Sequence, residues 1–299
     1  MTTKTEVINL SAWQEFPDCV QSISRRIKAN KDTGTTGLLF RGQSDADWQL
    51  ETTLERFSPD YVDVFAYAKL MKRAQPEIQA YTPGQRWPEI QFEEYKQWSR
   101  DFEGASLGHF PHYEFMVYLR HHGYPSPLLD WSRSPYVAAF FASRPIAMRN
   151  ERCAIYVYCA DTGHGHSGGS GGPNLITLSH YVSGHRRHFA QQCEYTICAL
   201  FSDRWYYHPH EKGFEMQWRS EQDKLWKITI PTSERQKVLR HLDSYNLNAY
   251  SLFATEDALM ETIAERARKA NSTEPAGKPG AAAEIPGPDY REPMSFWEK

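Results

Sequence analysis

Three stretches of the chain carry side chains able to do chemistry. The first is GLLFRGQSDADWQL, residues 37–50, where an apolar run ends on Arg41, followed by Gly42 and Gln43. A guanidinium at the end of a buried strand needs a charged partner or a task. The second is RHHGYPSPLLDWSRSPYVAAFFA, residues 120–142, with His121, Asp130, Trp131 and Ser132. The third is HRRHFAQQCEYTI, residues 185–197, with Arg186, Arg187, Gln192, Glu194 and Tyr195. Each residue also has a plainer use. Arg41 can pair with Asp130 or a glutamate, Asp130 can serve as a turn residue, and Ser132 can cap the following helix. His121 can be a core histidine bonded to backbone, and Glu194 a surface carboxylate.

Several reactions are disfavoured. No Gly-rich dinucleotide fingerprint, phosphate loop or Gly-x-Ser-x-Gly elbow occurs. The His164–His166 and His208–His210 pairs lack cysteine or carboxylate partners at ligand spacing, so no metal is expected. Cys193 near His188 hints at a thiol nucleophile but shows no third, orienting group. The five cysteines match no zinc framework and suit reduced thiols in a cytoplasmic protein.

The elements that must hold these groups can be read coarsely. Residues 1–10 look loose. Residues 11–31 have helical spacing with Ser11 as a possible N-cap, and Leu38–Phe40 reads as a strand. Helices are expected at 61–75, 88–102 and 111–123, the last stopped by Gly123. Ser134 and Pro135 look like N-cap and first residue of a buried helix. Residues 153–160, 195–201 and 224–230 read as strands, and 233–245 and 256–270 as helices. Together they predict one α+β domain over 11–270, with a helical insertion after the first strand. Residues 271–299, rich in Pro, Gly and Ala, read as a disordered tail.

Composition adds limits. With a net charge of −3, no global field draws the chain to nucleic acid or anionic lipid. No run reaches the roughly 18 apolar residues of a membrane span, and no signal peptide is visible. The high aromatic share, 14% with nine tryptophans, fits a core or stacking on flat ligands.

The first two stretches resemble the FRG domain family, named for its Phe/Tyr-Arg-Gly motif. The resemblance rests on Phe40, Arg41, Gly42, Gln43, Trp48 and Arg56, then His121, Gly123, Pro125, Leu128, Leu129, Asp130, Trp131, Ser132 and Pro135. Ser132 stands where threonine is commoner, and QQCEYT departs from the Gln-Gly-aromatic usual in the family. The order Arg-Gly, hydroxyl, Gln-x-Glu is similar to ADP-ribosyltransferases of the Arg–Ser–Glu type. That resemblance implies a mixed or antiparallel central sheet of ADP-ribosyltransferase-like type and NAD as co-substrate, without a metal. It implies a catalytic set of Arg41, Gln192 and Glu194, with Glu221 as a rival carboxylate. NAD would be held by Arg41, Gly42, Gln43, His121, Asp130, Trp131, Ser132 and Tyr195. Gly42 would let the ligand approach the strand end closely. The resemblance further implies a bacterial toxin, silenced by an antitoxin, or a phage-defence effector. Arg186, Arg187 and Gln192 would meet the acceptor, a nucleic acid or a protein. A non-catalytic FRG module binding a nucleotide or partner, or an NAD-hydrolysing toxin, are the alternatives.

Overall fold

A computed structural model of the chain describes residues 5–28, 37–58, 62–82, 84, 86–101, 110–145, 150–162, 171–178, 186–215 and 222–273. Eight strands form one mixed sheet: β1 (Glu6–Asn9), β2 (Leu39–Gln43), β3 (Leu129–Ser132), β4 (Arg152–Asp161), β5 (Asn174–Leu178), β6 (Cys193–Phe201), β7 (Trp205–Tyr207) and β8 (Gln222–Pro231). The order is β1-β8-β4-β2-β3-β6-β5, with β7 also paired to β6. Only β1 with β8 runs parallel; the other named strand pairs are antiparallel.

The long strands are written in period two. On β4, Cys153, Ile155, Val157 and Cys159 join one core, while Ala154, Tyr156, Tyr158 and Ala160 join another. The first core packs against α1 (Phe16–Lys28), α6 (Pro135–Ser143), α9 (Arg235–Ser244), α10 (Ala249–Phe253) and α11 (Glu256–Thr273). Phe40, Ser132 and Cys193 are successive cross-strand partners and therefore share that face. Past Cys193 the face is covered by the helices inserted between β2 and β3. These are α2 (Thr53–Phe57), α3 (Val64–Tyr81), α4 (Phe92–Asp101) and α5 (Tyr113–His121). On the opposite face Trp131, Tyr158 and Phe214 pack in tilted and edge-to-face contacts at 5.3–6.4 Å between centroids; Phe214 comes from α8 (His210–Glu215). A short α7 (Arg186–Ala190) leads into β6.

The expected helices and strands are present, the insertion among them, but several expectations need correction. Residues 6–9 are a strand, not part of a loose start, because β8 offers them an open edge. Ser11 does not cap: Ala12 precedes the first turn, and Glu15 accepts from the amides of Ser11 and Ala12 instead. The last helix runs through Thr273, past the expected start of the tail; residues 274–299 lie outside the described residues. β1, β3, β5 and β7 were not legible as strands. Ser134 does cap α6, accepting from the Val137 amide.

Candidate functional site

The mid-sheet position of β2 and β3 decides where the singled-out residues meet. Arg41 leaves β2 and donates through Nη1 to the Asp130 carboxylate on β3 at 2.6 Å, and to the Asp130 carbonyl at 2.8 Å. Arg120, in the last turn of α5, binds the same carboxylate through Nε at 3.1 Å and through Nη2. One carboxylate thus faces two guanidinium groups. Burial alone would raise the Asp130 pKa, but Arg120 and Arg41 outweigh it and hold the carboxyl well below the usual carboxylate range. Its side chain keeps 40% of its surface exposed, so water still screens the cluster on one side. Burial weakens the hold of Arg41 on its proton, and Asp130 works against that. Arg41 Nε is buried and meets no hydrogen-bond partner among the described residues. The same is true of Gln43 Oε1, whose amide nitrogen donates to the Gln49 carbonyl at 3.0 Å. Two orphaned polar atoms on one strand end are costly unless a ligand or water takes them.

Both residues line a cleft of about 700 Å³. Its wall also includes Gly42, Asp130, Trp131 and Ser132 from the expected set, and Trp48, Glu51, Arg56, Gln191 and Cys193 besides. That volume falls within the range of small-molecule and cofactor sites. Trp48 is 50% exposed at the cleft, a flat apolar face open to stacking. Ser132 is buried, donates to the Gln191 carbonyl at 2.7 Å and accepts from the Ser134 amide at 3.0 Å. It therefore ties the β3 end to the turn before β6 and leaves one lone pair. Capping of α6 belongs to Ser134 alone.

Other expected site residues are placed elsewhere. Tyr195 is fully buried among the insertion helices, so it is not open to stack on a ligand. Its hydroxyl lies 2.8 Å from His121 Nε2 and 3.4 Å from His188 Nδ1. Neither Tyr195 nor His121 is in the cleft wall. Gln192 is exposed, with a left-handed φ of 50°, and its neighbour Gln191 takes the cleft position instead. Glu194 sits inside β6 opposite Trp131, its carboxylate 3.7 Å from Arg133 Nε, and does not line the cleft. Glu221, like His164 and His166, lies outside the described residues. His210 is buried and bonded to Thr196 and Glu55. Arg187 donates to the His121 carbonyl and lies over the Phe253 ring, whereas Arg186 is exposed beside the 87%-exposed Phe189.

Gly42, besides lying in the cleft wall, has a reason in the packing of a helix. A Cβ there would stand 1.9 Å from the Ala138 carbonyl oxygen and 2.6 Å from the Ala142 nitrogen. Ala138 and Ala142, one turn apart, present the least bulky stripe of α6 to β2.

Sequence reasoning missed Arg120, Glu51 and Gln191 as members of the site. The arginine in RHHG was visible, but only the packing of α5 on the sheet brings it to Asp130. Among the described residues, no helix is long and apolar enough to cross a membrane. Residues 36–151 match the family model described as the FRG domain. No curated protein and no solved structure matches the chain.

Proposed function

With residues 36–151 matched to the FRG domain family, we propose that the chain is an NAD-dependent ADP-ribosyltransferase. It would act as a toxin or phage-defence effector on a nucleic acid or protein acceptor. One observation carries this reading: Arg41, buried at the cleft wall, has an Nε with no partner among the described residues. A guanidinium held by one carboxylate on one side keeps its other edge for an anion. The NAD diphosphate is such an anion, and Trp48 offers a ring face to its planar groups.

The chemistry assigns the remaining parts. The C–N bond to nicotinamide breaks with its electron pair moving onto the ring nitrogen, which neutralises the pyridinium. Positive charge develops on the ribose anomeric carbon, as in glycoside cleavage. A nucleophile of the acceptor then bonds to that carbon and loses its proton. The lone pair left on Ser132 Oγ would accept from a ribose hydroxyl. A carboxylate must face the developing charge. Three carboxylates line the cleft. Asp130 is held by two arginines, and Asp47 accepts from the Asn150 amide at 2.6 Å. The Glu51 carboxylate makes no hydrogen bond among the described residues. Glu51 is therefore the preferred catalytic carboxylate, ahead of Glu194.

The test is incubation with NAD labelled on the adenylate and a cell lysate, followed by separate protease and nuclease digestion. Transferred label that resists protease and yields to nuclease marks a nucleic-acid acceptor; the converse marks a protein. Free ADP-ribose alone turns the reading to hydrolysis. Glu51→Gln is expected to slow nicotinamide release by about 10²–10³-fold. Wild-type protein that binds nucleotide but never releases nicotinamide would reduce the chain to a non-catalytic module.

A further inference from the structure

The transferase reading leaves unused a cluster at the junction of α5, α7 and β6. His121 ends α5, His188 lies on α7, and Cys193 opens β6. Their nitrogen and sulfur ligand atoms all lie within 4.8 Å of one another. His188 and Cys193 are 7% and 4% exposed, and His121 is partly buried. Cys193 is also part of the cleft wall.

We propose that His121, His188 and Cys193 form a binding site for a transition-metal cation of the zinc class, adjoining the cleft. Two imidazoles and a thiolate are borderline-to-soft donors, which select zinc-like ions over magnesium or calcium. Around one tetrahedral ion with metal–nitrogen distances of about 2.0 Å and a metal–sulfur distance of about 2.3 Å, ligand atoms stand roughly 3.3–3.8 Å apart. The present spacing needs a contraction of about 1 Å at its widest. Small rotations of His121, at a helix end, can supply part of it. The Tyr195 hydroxyl, 2.8 Å from His121 Nε2 and 3.4 Å from His188 Nδ1, already holds the two imidazoles toward a common point.

Metal coordination stabilises a thiolate at neutral pH, so an ion bound here would displace the Cys193 proton. The buried Tyr195 hydroxyl, within reach of both imidazoles, stands where a fourth ligand would, which is the closed arrangement of zinc sites that brace a fold. The site is independent of the transferase reading: it stands or falls on metal uptake, whether or not NAD is turned over.

The experiment uses the full chain, stripped with a chelator. Zinc sulfate is titrated against a chromophoric chelator, and cobalt(II) is added in a parallel sample. One equivalent of zinc and a thiolate-to-cobalt charge-transfer band are expected. Cys193→Ser and His121→Ala are each expected to bind zinc at least about 100-fold more weakly, with the cobalt band lost in Cys193→Ser. Should either variant fail to fold, zinc-edge X-ray absorption on the wild type decides the matter: one sulfur with two or more nitrogen ligands supports the site. No stoichiometric uptake, a first shell with no sulfur or with several, or unchanged affinity in a folded Cys193→Ser variant overturns it.

Discussion

Replacing Gly42 by alanine separates two reasons for a glycine at the cleft. The added Cβ would sit 1.9 Å from the Ala138 carbonyl oxygen. A carbon ordinarily approaches such an oxygen to roughly 3.3 Å, so about 1.4 Å must be opened. Both obstacles are backbone atoms of α6, so no rotamer change relieves them. Ala138, Ala139 and Ala142 are buried in the core on that helix, and moving it disturbs the whole face. Overpacking costs typically 1–3 kcal/mol, and a rigid clash of this depth belongs at or above the upper end. The reduced entropy of the unfolded chain returns less than about 1 kcal/mol. The expected net loss is about 3 kcal/mol, or roughly 6–10 °C in melting temperature for a domain of this size. Urea unfolding followed by circular dichroism measures the loss. A variant within about 1 kcal/mol of wild type would refute the close approach of α6 as the reason for the glycine. If that stable variant also lost NAD binding, ligand approach would replace it.

Further outcomes follow from the same geometry. Asp130→Asn leaves Arg41 and Arg120 without their shared carboxylate and is expected to cost about 2 kcal/mol at neutral pH. That is below the 3–5 kcal/mol of a fully buried pair, because Asp130 is part-exposed. The carboxyl pKa is depressed on folding, so its contribution is complete above the unfolded value of about 3.9 and lost as pH falls below it. The stability gap between wild type and Asp130→Asn should therefore stay constant above about pH 5 and narrow below about pH 4, which acid titration of the unfolding midpoint can follow. Ser132→Ala removes a buried donor to Gln191 and an acceptor for Ser134, with an expected loss of about 1–3 kcal/mol by the same denaturation assay. On the proposed transferase reading, Arg41→Lys keeps the charge but not the fork, and calorimetry should show NAD affinity reduced by about tenfold or more.

Legibility in the sequence followed how local each signal was. β4 and β8 were readable because their apolar and β-branched residues run on for nearly the whole strand. LDWS, only four residues long and flanked by prolines and a serine turn, becomes β3 because β2 and β6 pair with it on both sides. NLITL was hidden behind a Gly-rich stretch. EVIN is mostly exposed, so no burial pattern marks it. The pairing of Arg41 with Asp130 could be weighed beforehand, since each is a charge beside apolar residues. Its sharing with Arg120 could not, because the contact depends on how α5 lies on the sheet. Tyr195 illustrates the opposite error: an aromatic beside a candidate carboxylate suggested stacking on a ligand, but alternation along β6 turns it into the core.

The parallel pairing of β1 with β8 has a consequence for how the chain is made. Glu6–Asn9 is made long before β8, yet it pairs with Trp226–Thr229 of that strand. At roughly 5–20 residues per second, translation takes on the order of 10–40 s to reach β8. Until then neither β1 nor the β8-facing edge of β4 has its neighbour. The nascent chain thus passes through an interval in which β1 and one edge of β4 stand unpaired, while β2, which carries Arg41 and Gly42, already has both of its neighbours.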